Sequence, residues 1–207
     1  MENKDFNLKG ISAYHGTSHK LEKFDNLHLG NGIGAHDRGY GFYFTSKDAI
    51  ARYYAKEIGK FYKHTTDMFV YKVRIHGNKT IEQFDFIQWD KPLTDLQRDK
   101  ISGQFLKEYG EEIYNTHYPN GSKMIWMGGP AFTYLAQKIG ESINKLLNYQ
   151  YANSPEYKKA ASELLLRAGI DGIEYPPDQL PGVDTQDGRN YVVFDPSAIE
   201  IEGVENL

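Results

Sequence analysis

The sequence contains no cysteine among its 207 residues. This absence excludes disulfide bonds, thiol nucleophiles, iron-sulfur clusters and zinc sites with cysteine ligands, and it leaves the redox compartment open. The chain also has no run approaching about 18 apolar residues, and it begins with charged residues where a secretory signal would turn apolar. We therefore expect no membrane-spanning segment, no membrane partner and no classical signal peptide.

Neither sign of charge dominates the sequence, which has 24 lysines and arginines, 28 aspartates and glutamates and a net charge of -4. No global positive field is expected to attract nucleic acid, although a local basic patch is left open. Hydrophobic residues make up 40% and charged residues 25% of the chain, as in folded globular proteins rather than disordered or fibrous ones. This length and composition predict a single domain over residues 1–207.

Short strand patterns at both ends of the chain flank a helical middle. Strands are predicted at 11–17, 40–45, 67–76, within 81–89, and at 170–175, 190–195 and 198–201. Helices are predicted from a cap at Thr45 or Ser46 to about Gly59, from the capping box Thr94-Asp-Leu-Gln97 to about Tyr109, at 131–147, and from Ser154-Pro155 to a stop at Gly169. This order lacks the strict alternation of a doubly wound sheet. It predicts an α+β fold with a mainly antiparallel sheet and a mostly helical insertion at about 92–168.

Three separated segments combine chemistry-bearing residues with strand ends, where sites usually form. They are Tyr14-His15-Gly16-Thr17, Gly39-Tyr-Gly-Phe-Tyr-Phe44 and Asn190-Tyr-Val-Val-Phe-Asp195. In this order, with a helix directly after the second segment, they resemble the ADP-ribosyltransferases of the histidine-tyrosine-glutamate class, which include poly(ADP-ribose) polymerases and diphtheria-type toxins. The sequence looks closest to the transferase domains of bacterial and phage-borne toxins and effectors, over roughly residues 11–201. The resemblance implies a split, mainly antiparallel β-sheet core.

The resemblance implies that NAD+ is the co-substrate and that the first segment binds it. His15 would hydrogen-bond the adenosine-side ribose, and the Gly16 backbone would hold the nicotinamide carboxamide, with Thr17 at the same strand end. Both roles fit the residue types, because neutral histidine offers one donor and one acceptor and glycine lets a ligand approach the main chain. The alternative is a histidine packed beside an ordinary turn.

The resemblance also assigns two aromatic rings to the nicotinamide. Tyr43 matches the family tyrosine that stacks on this ring, and Tyr54, on the following helix, matches the second ring of the sandwich. A pyridinium cation between two tyrosine faces gains cation-π attraction, on the order of 0.5 to 2 kcal/mol per ring. The alternative for either tyrosine is packing in the core. A family serine in this helix is replaced by Ala51, so its contact with the carboxamide is absent or supplied elsewhere.

The glycine-rich segment from His28 to Arg38 is predicted to form a loop over the NAD+ diphosphate. Arg38 can pair with phosphate, and exposed glycine amides can do the same. A closed loop would exclude water and favour transfer over hydrolysis; the alternative is a disordered surface loop. The spacing Gly30-x-Gly-x-Gly34 is not a dinucleotide-binding fingerprint, because it follows no clear buried strand and opens no helix.

The third residue of the class departs from the family pattern, because Asn190 stands where the family has glutamate. In the family, this glutamate binds the 2′-hydroxyl of the nicotinamide ribose and helps to stabilise an oxocarbenium-like transition state. Asparagine can accept the same hydrogen bond but carries no negative charge. Since relatives without the glutamate generally do not build polymers, the resemblance implies mono-ADP-ribosylation. Glu174 and Asp187 are alternative carboxylates for this role, unless they are ordinary solvated side chains.

Two further motifs do not change this interpretation. His15 and His19 are four residues apart, but no glutamate lies between them and a strand is too extended for them to share a zinc ion, so no metal is expected. Trp89-Asp-Lys-Pro92 recurs in the toxin-like relatives, and from its residues alone it indicates a strand end and a turn. The sequence assigns it no mechanistic role.

The function expected from the sequence is NAD+-dependent transfer of one ADP-ribose to a macromolecular acceptor. A protein is the expected acceptor, and nucleic acid is left open. Two alternatives remain: a catalytically silent module that binds NAD+ or ADP-ribose, and an NAD+ glycohydrolase in which water replaces the acceptor. The toxin-like resemblance implies an effector that is secreted or injected without a classical signal peptide, with a cytoplasmic location as the alternative. We also expect a monomer.

Overall fold

The computed structural model describes residues 10–26, 29, 36–61, 67–76, 79, 83–117, 128–145 and 148–207. Among these residues, seven strands form one sheet, accompanied by four α-helices. The strands are β1 (Ile11–Thr17), β2 (Phe42–Thr45), β3 (Phe69–Ile75), β4 (Phe86–Gln88), β5 (Gly172–Tyr175), β6 (Asn190–Val193) and β7 (Ile199–Asn206). The helices are α1 (Asp48–Phe61), α2 (Asp95–His117), α3 (Gly128–Asn144) and α4 (Pro155–Arg167).

The sheet has the strand order β4-β5-β6-β2-β1-β3-β7. Every neighbouring pair is antiparallel except β4 and β5, which run parallel. The chain between these two strands contains α2, α3 and α4, because parallel neighbours need a long crossover connection. The prediction of an α+β fold with a mainly antiparallel sheet is confirmed.

The sheet consists of two halves that meet at one point. In one half, β1 pairs with β3 along its whole length, and β3 pairs in turn with β7. In the other half, β2 pairs with β6 along its whole length, and β6 pairs with β5. Between the halves, β1 and β2 share a single register pair, Tyr14 with Thr45. The two strands therefore diverge from this pair instead of forming the continuous ladder that the other strands form.

Side chains of β2 alternate between two core clusters on opposite faces of the sheet. Phe42 and Phe44 pack with Phe24 and Tyr71 in one cluster. Tyr43 packs against the other cluster, which contains buried residues from α2, α3 and α4. The strand that carries the predicted stacking tyrosine is thus held from both faces.

The predicted capping box at the start of α2 is confirmed. The amide of Gln97 donates to Thr94 Oγ1 at 3.1 Å, and the amide of Thr94 donates to Gln97 Oε1 at 3.1 Å. The predicted end near Tyr109 falls one residue before Gly110, whose φ of 84° and ψ of 165° interrupt the helix. The chain resumes a helical path beyond this kink and continues to His117.

The predicted cap of α1 at Thr45 or Ser46 is wrong, because the helix begins at Asp48. The Ser46 hydroxyl accepts from the amide of Arg189 at 2.9 Å, which joins the start of α1 to the start of β6. Ser154 occupies the N-cap position of α4, as predicted, but its side chain makes no capping hydrogen bond. Pro155 still opens this helix with a suitable backbone angle. The predicted stop at Gly169 is confirmed by its left-handed φ of 82°.

Some element boundaries differ from the predicted ones. β2 begins at Phe42 rather than at Tyr40, because the amide of Tyr40 donates to Ser162 Oγ on α4 at 2.8 Å. Only Phe86–Gln88 of the segment predicted at 81–89 is a strand, and residues 81 and 82 lie outside the described part of the chain. α3 covers 128–144 rather than 131–147, and residues 146 and 147 are likewise not described.

Gly16 allows α1 to pack directly on β1. A Cβ atom at this position would lie 1.9 Å from the carbonyl oxygen of Ala51 and 2.9 Å from the amide nitrogen of Ala55, both on α1. These distances leave no room for a side chain. Ala51 and Ala55 are themselves buried, in a small cluster with Val70 of β3. Small residues on the strand and the helix therefore fix the position of α1.

We expect Gly16→Ala to lower the free energy of unfolding by about 1 to 3 kcal/mol, the usual cost of forcing an extra group into a packed core. Chemical denaturation followed by circular dichroism measures this change. Gly103→Ala is the matched control, since a Cβ at this position on α2 meets no heavy atom within 4 Å. There, alanine should stabilise the helix by up to about 1 kcal/mol. Unchanged stability of Gly16→Ala would contradict the close packing of α1 on β1.

Candidate active site

The three segments singled out in the sequence lie on adjacent strands, because β6, β2 and β1 are neighbours in the sheet. One row of register partners crosses them and the next strand: Tyr14, Thr45, Asn190 and Tyr175. With neighbouring strands about 4.8 Å apart, this row spans roughly 15 Å of backbone. Register partners share a face of the sheet, so Asn190 and Tyr175 lie side by side on the face that also carries Tyr43.

His15 links the two halves of the sheet where β1 and β2 diverge. Its Nδ1 lies 2.7 Å from the carbonyl oxygen of Tyr43. Because a carbonyl oxygen only accepts, Nδ1 carries the proton, and Nε2 of the neutral ring is left as an acceptor. The rings of Phe24 and Phe44 hold the imidazole from its other sides, with centroids 5.2 Å and 5.7 Å away.

Burial keeps the His15 imidazole neutral. Desolvation lowers the pKa of His15 below its usual value, and the hydrogen bond to the Tyr43 carbonyl opposes this shift only in part. At neutral pH the ring therefore uses its one N–H within the fold and presents a lone pair at Nε2. This lone pair can accept a hydrogen bond from a ligand hydroxyl.

Tyr43 is held in one orientation on β2. Its hydroxyl donates to the carbonyl oxygen of Gly39 at 2.8 Å. Burial raises the pKa of Tyr43 well above its usual value, and the backbone amide of Arg38 opposes this shift in part. The phenol is therefore neutral, and its hydroxyl is used inside the fold. What this residue offers to a ligand is the face of its ring.

The rings of His15 and Tyr43 lie on opposite faces of the sheet. His15 packs with Phe24 and Phe44 in one core cluster, whereas Tyr43 packs against the helical cluster. The two residues meet only through the hydrogen bond to the Tyr43 carbonyl. A ligand that contacts both side chains must therefore lie where β1 and β2 diverge.

Asn190 places a free acceptor on the site face. The residue is 4% exposed, and its Oδ1 is buried without a hydrogen-bond partner among the described residues. An unpaired buried polar atom costs on the order of 1 to 3 kcal/mol, so such an atom calls for a physical explanation. A ligand hydroxyl that donates to Asn190 Oδ1 would satisfy it.

Tyr175 lies near Tyr43 and Tyr54, the two tyrosines that the sequence predicted for the site. Burial raises the pKa of Tyr175, the nearby phenols of Tyr43 and Tyr54 raise it further, and Arg38 and Asn190 oppose the shift. Tyr54 is 36% exposed, and burial is also the main reason that its pKa is raised. Three neutral tyrosines therefore lie in one region, and Tyr54 has the most open ring.

Arg38 lies beside this region, stacked on an aromatic ring. Its guanidinium carbon is 4.3 Å from the ring centroid of Trp89 and 5.6 Å from that of Tyr175. Its Nη2 is 4.0 Å from the Asp178 carboxylate. Residues 28 and 30–35 of the predicted diphosphate loop, including its three glycines, lie outside the described part of the chain. Arg38 lies at the described end of this loop, residues 36–38.

The segment that carries Arg38 is fastened to α4. Lys158 Nζ lies 2.7 Å from Asp37 Oδ1, and the amide of Tyr40 donates to Ser162 Oγ at 2.8 Å. His36 adopts a left-handed φ of 51°, and its ring lies 4.8 Å from that of Tyr40. These contacts fix the backbone on both sides of Arg38. The position of α4 therefore determines the point on the backbone from which the Arg38 side chain extends.

Gly16 and Thr17 have structural roles in addition to the ones predicted. The missing side chain of Gly16 makes room for α1, so glycine is needed here whether or not a ligand approaches. Thr17 is 8% exposed, and its hydroxyl accepts from the amide of His19 at 3.2 Å. Contacts of either residue with NAD+ stay predictions.

Glu174, one of the alternative carboxylates, is directed away from Asn190. It precedes Tyr175 on β5, so its side chain is directed to the face opposite Asn190. There, it pairs with Arg189 at 3.3 Å. Asp187, the other candidate, is exposed and occupies a turn with a φ of 57°. Asn190 itself lies on the site face, in register with Thr45 and Tyr175, and its match to the family acid stays a prediction.

Sequence reasoning missed Trp89 and Tyr175 as residues of this region. The Trp89 motif was visible, but its neighbour Arg38 is distant in the sequence and reaches it only in the folded chain. Tyr175 ends β5, and β5 and β6 are consecutive strands that pair antiparallel. An antiparallel pairing of these two strands was the signal that could have placed Tyr175 opposite Asn190.

No group of three or more histidines, aspartates or glutamates among the described residues is arranged to hold a metal ion. None of the described helices is long and apolar enough to cross a bilayer. Comparisons with protein-family models, curated proteins and solved structures find no match to this chain. Its function therefore rests on the geometry of the site and on the motifs that the site brings together.

Proposed function

We propose that this chain is an NAD+-dependent mono-ADP-ribosyltransferase that uses His15, Tyr43 and Asn190. The observation that carries the proposal is that three motifs far apart in the sequence occupy the adjacent strands β1, β2 and β6. The register places Thr45 of β2 between Tyr14 and Asn190. The resemblance requires these three motifs to form one site, and their positions on neighbouring strands agree with that requirement.

The divergence of β1 and β2 supports the same proposal. The histidine-tyrosine-glutamate class has a split sheet, and here the two halves of the sheet share the single register pair of Tyr14 and Thr45. Backbone groups on the facing edges of diverging strands are open to a ligand, as they are at any unpaired strand edge. In our proposal NAD+ occupies this opening.

Each predicted contact with NAD+ has a chemical basis in this site. The His15 Nε2 accepts a hydrogen bond from a hydroxyl of the adenosine-side ribose, because Nδ1 is already committed to the Tyr43 carbonyl. The nicotinamide carboxamide binds the main chain near Gly16 and Thr17. Its ring lies between Tyr43 and Tyr54, where a flat cation gains cation-π attraction. Arg38 contacts the diphosphate.

The reaction breaks the bond between the ribose C1′ and the nicotinamide nitrogen. The bonding electron pair stays on nicotinamide, which leaves as a neutral molecule, and positive charge develops on the ribose. Asn190 Oδ1 accepts from the 2′-hydroxyl and turns its partial negative charge toward the sugar. The acceptor nucleophile then bonds to C1′ and releases its proton to solvent. Because Asn190 is neutral, we expect a slower reaction than with glutamate and no polymer.

The acceptor that we propose is a protein side chain, with nucleic acid as the alternative. An effector delivered to another cell is the proposed setting, and an enzyme acting in the cytoplasm is the alternative. If water attacks C1′ instead, the same site is an NAD+ glycohydrolase.

A silent binding module is the second candidate function. The observation that favours it is the neutral Asn190 together with the ion pair that directs Glu174 to Arg189. Without a carboxylate beside the ribose, the site binds NAD+ or ADP-ribose and leaves the glycosidic bond intact. The two candidates differ in one measurable product, free nicotinamide.

We expect the purified chain to release nicotinamide from NAD+, and His15→Ala to slow this release by roughly a hundredfold or more, as when one stabilising group is removed from an active site. Tyr43→Ala should also cause a large loss, whereas Tyr43→Phe should keep most of the activity because the hydroxyl is bonded to Gly39. His76→Ala is the matched control, since His76 pairs with Glu200 at the far side of the sheet. Full activity of His15→Ala would contradict the assignment.

The products of the same assay distinguish the candidate functions. Release that rises with a cell lysate and leaves ADP-ribose on protein identifies a transferase. Release with only free ADP-ribose identifies a glycohydrolase. NAD+ binding without nicotinamide release identifies the silent module.

Asn190→Glu should raise the rate of nicotinamide release or of hydrolysis by roughly tenfold or more, because it places a negative charge where positive charge develops. Asn190→Asp is the control of equal size, which adds the charge without added volume at this buried position. Circular dichroism checks that both variants fold. An unchanged rate in a folded Asn190→Glu protein would show that Asn190 is not the third residue of the site.

A further inference from the structure

The Trp89-Asp-Lys-Pro92 motif has a contact that the proposed reaction does not yet use. Trp89 follows β4, and its ring supports the Arg38 guanidinium at 4.3 Å. Tyr175 adds a second ring at 5.6 Å. Arg38 is thus held by the aromatic side chain that follows β4 and the one that ends β5, although it belongs to the segment that precedes β2.

Backbone contacts fix the position of Trp89. Its amide donates to the carbonyl of Glu174 at 2.8 Å, and its carbonyl accepts from the amide of Gly129 at 3.0 Å. A Cβ at Gly129 would lie 2.4 Å from the indole ring, so α3 begins directly against it. The ring therefore stands on a rigid support made by the sheet edge and the first turn of α3.

The Arg38 guanidinium keeps hydrogen-bond donors beside the Trp89 ring, because the nearest carboxylate among the described residues is 4.0 Å away. The five N–H groups of a guanidinium lie in its plane, and its central carbon lies over the Trp89 ring, 4.3 Å from the centroid. The Asp178 carboxylate lies 4.0 Å away, which is longer than a hydrogen bond, and its side chain is 72% exposed. An anion with two oxygens can therefore approach the edge of Arg38 and compete with Asp178.

We propose that Trp89 is a positioning residue that holds the Arg38 guanidinium as a receptor for two phosphate oxygens. The ligand group is a diphosphate, and its identification with the diphosphate of NAD+ rests on the proposed function. Asp178 competes with this anion for the same cation. The Trp89 motif thereby gains a role in ligand binding through Arg38 rather than through its own contact with the ligand.

Calorimetric titration with inorganic pyrophosphate tests the receptor without relying on NAD+ chemistry. We expect Arg38→Ala and Trp89→Ala each to weaken pyrophosphate binding roughly tenfold, the scale of a charge-assisted hydrogen bond or a cation-π contact. Trp89→Phe should keep binding within about threefold because an aromatic face remains. Asp178→Asn should tighten it. Arg167→Ala is the charge-matched control, since Arg167 pairs with Glu108 on the helical side of the molecule.

Titrations with ADP-ribose and adenosine separate positioning from a general structural effect. Trp89→Ala should weaken binding of ADP-ribose and leave that of adenosine, which has no phosphate, unchanged. Equal losses for both ligands, wild-type pyrophosphate affinity in a folded Trp89→Ala protein, or an equal loss in Arg167→Ala would overturn the inference. So would a wild-type chain that binds no pyrophosphate.

The two proposals fail in different ways. Pyrophosphate binding that depends on Arg38 and Trp89, in a chain that binds neither NAD+ nor ADP-ribose, supports the receptor and contradicts the proposed function. Binding of ADP-ribose that is insensitive to both substitutions supports the nucleotide site and overturns the receptor.

Discussion

The hydrogen bond from His15 to the Tyr43 carbonyl is the interaction on which the site depends. It joins β1 to β2 at 2.7 Å, beside the single register pair between the two halves of the sheet. It also determines the tautomer of His15, because the N–H at Nδ1 donates to the carbonyl and Nε2 is left with a lone pair that can accept a hydrogen bond. Packing of α1 against Gly16 holds the same end of β1 in place. One hydrogen bond thus joins the two halves of the sheet and fixes which nitrogen of His15 can accept from a ligand.

The site is largely neutral, and this limits what it can catalyse. Burial lowers the pKa of His15 and raises that of Tyr43 and Tyr175, so these groups carry no charge at neutral pH. In the proposed reaction, Asn190 supplies a dipole where the family that the sequence resembles has a carboxylate. The stabilisation of a developing cation then comes from one amide oxygen and from aromatic faces, which favours slow transfer of a single ADP-ribose or binding alone. In the proposed function, Arg38 is the cation that faces the anionic part of a dinucleotide.

Local patterns in the sequence predicted most helices and strands. Contacts between residues distant in the sequence determine which side chains lie together at the site. β1 and the Thr94 capping box follow from local residue types. The Ser46 cap failed because its hydroxyl bonds to Arg189 instead, and a partner so distant in sequence leaves no local signal. The convergence of the three segments was expected from their strand ends and from the family resemblance, whereas the strand order β6-β2-β1 was not predicted. The positions of Trp89 and Tyr175 beside the site could be predicted only from the strand register, which periodicity does not determine.

The most direct test of this account is nitrogen NMR of the histidine side chains during titration with NAD+. We predict that His15, assigned with the His15→Gln variant, is protonated at Nδ1 and unprotonated at Nε2 at neutral pH. Addition of NAD+ should then shift the Nε2 signal of His15, as a new hydrogen bond forms at that atom. A proton on Nε2 in the free protein, or an unchanged His15 signal when NAD+ is bound, would contradict the account.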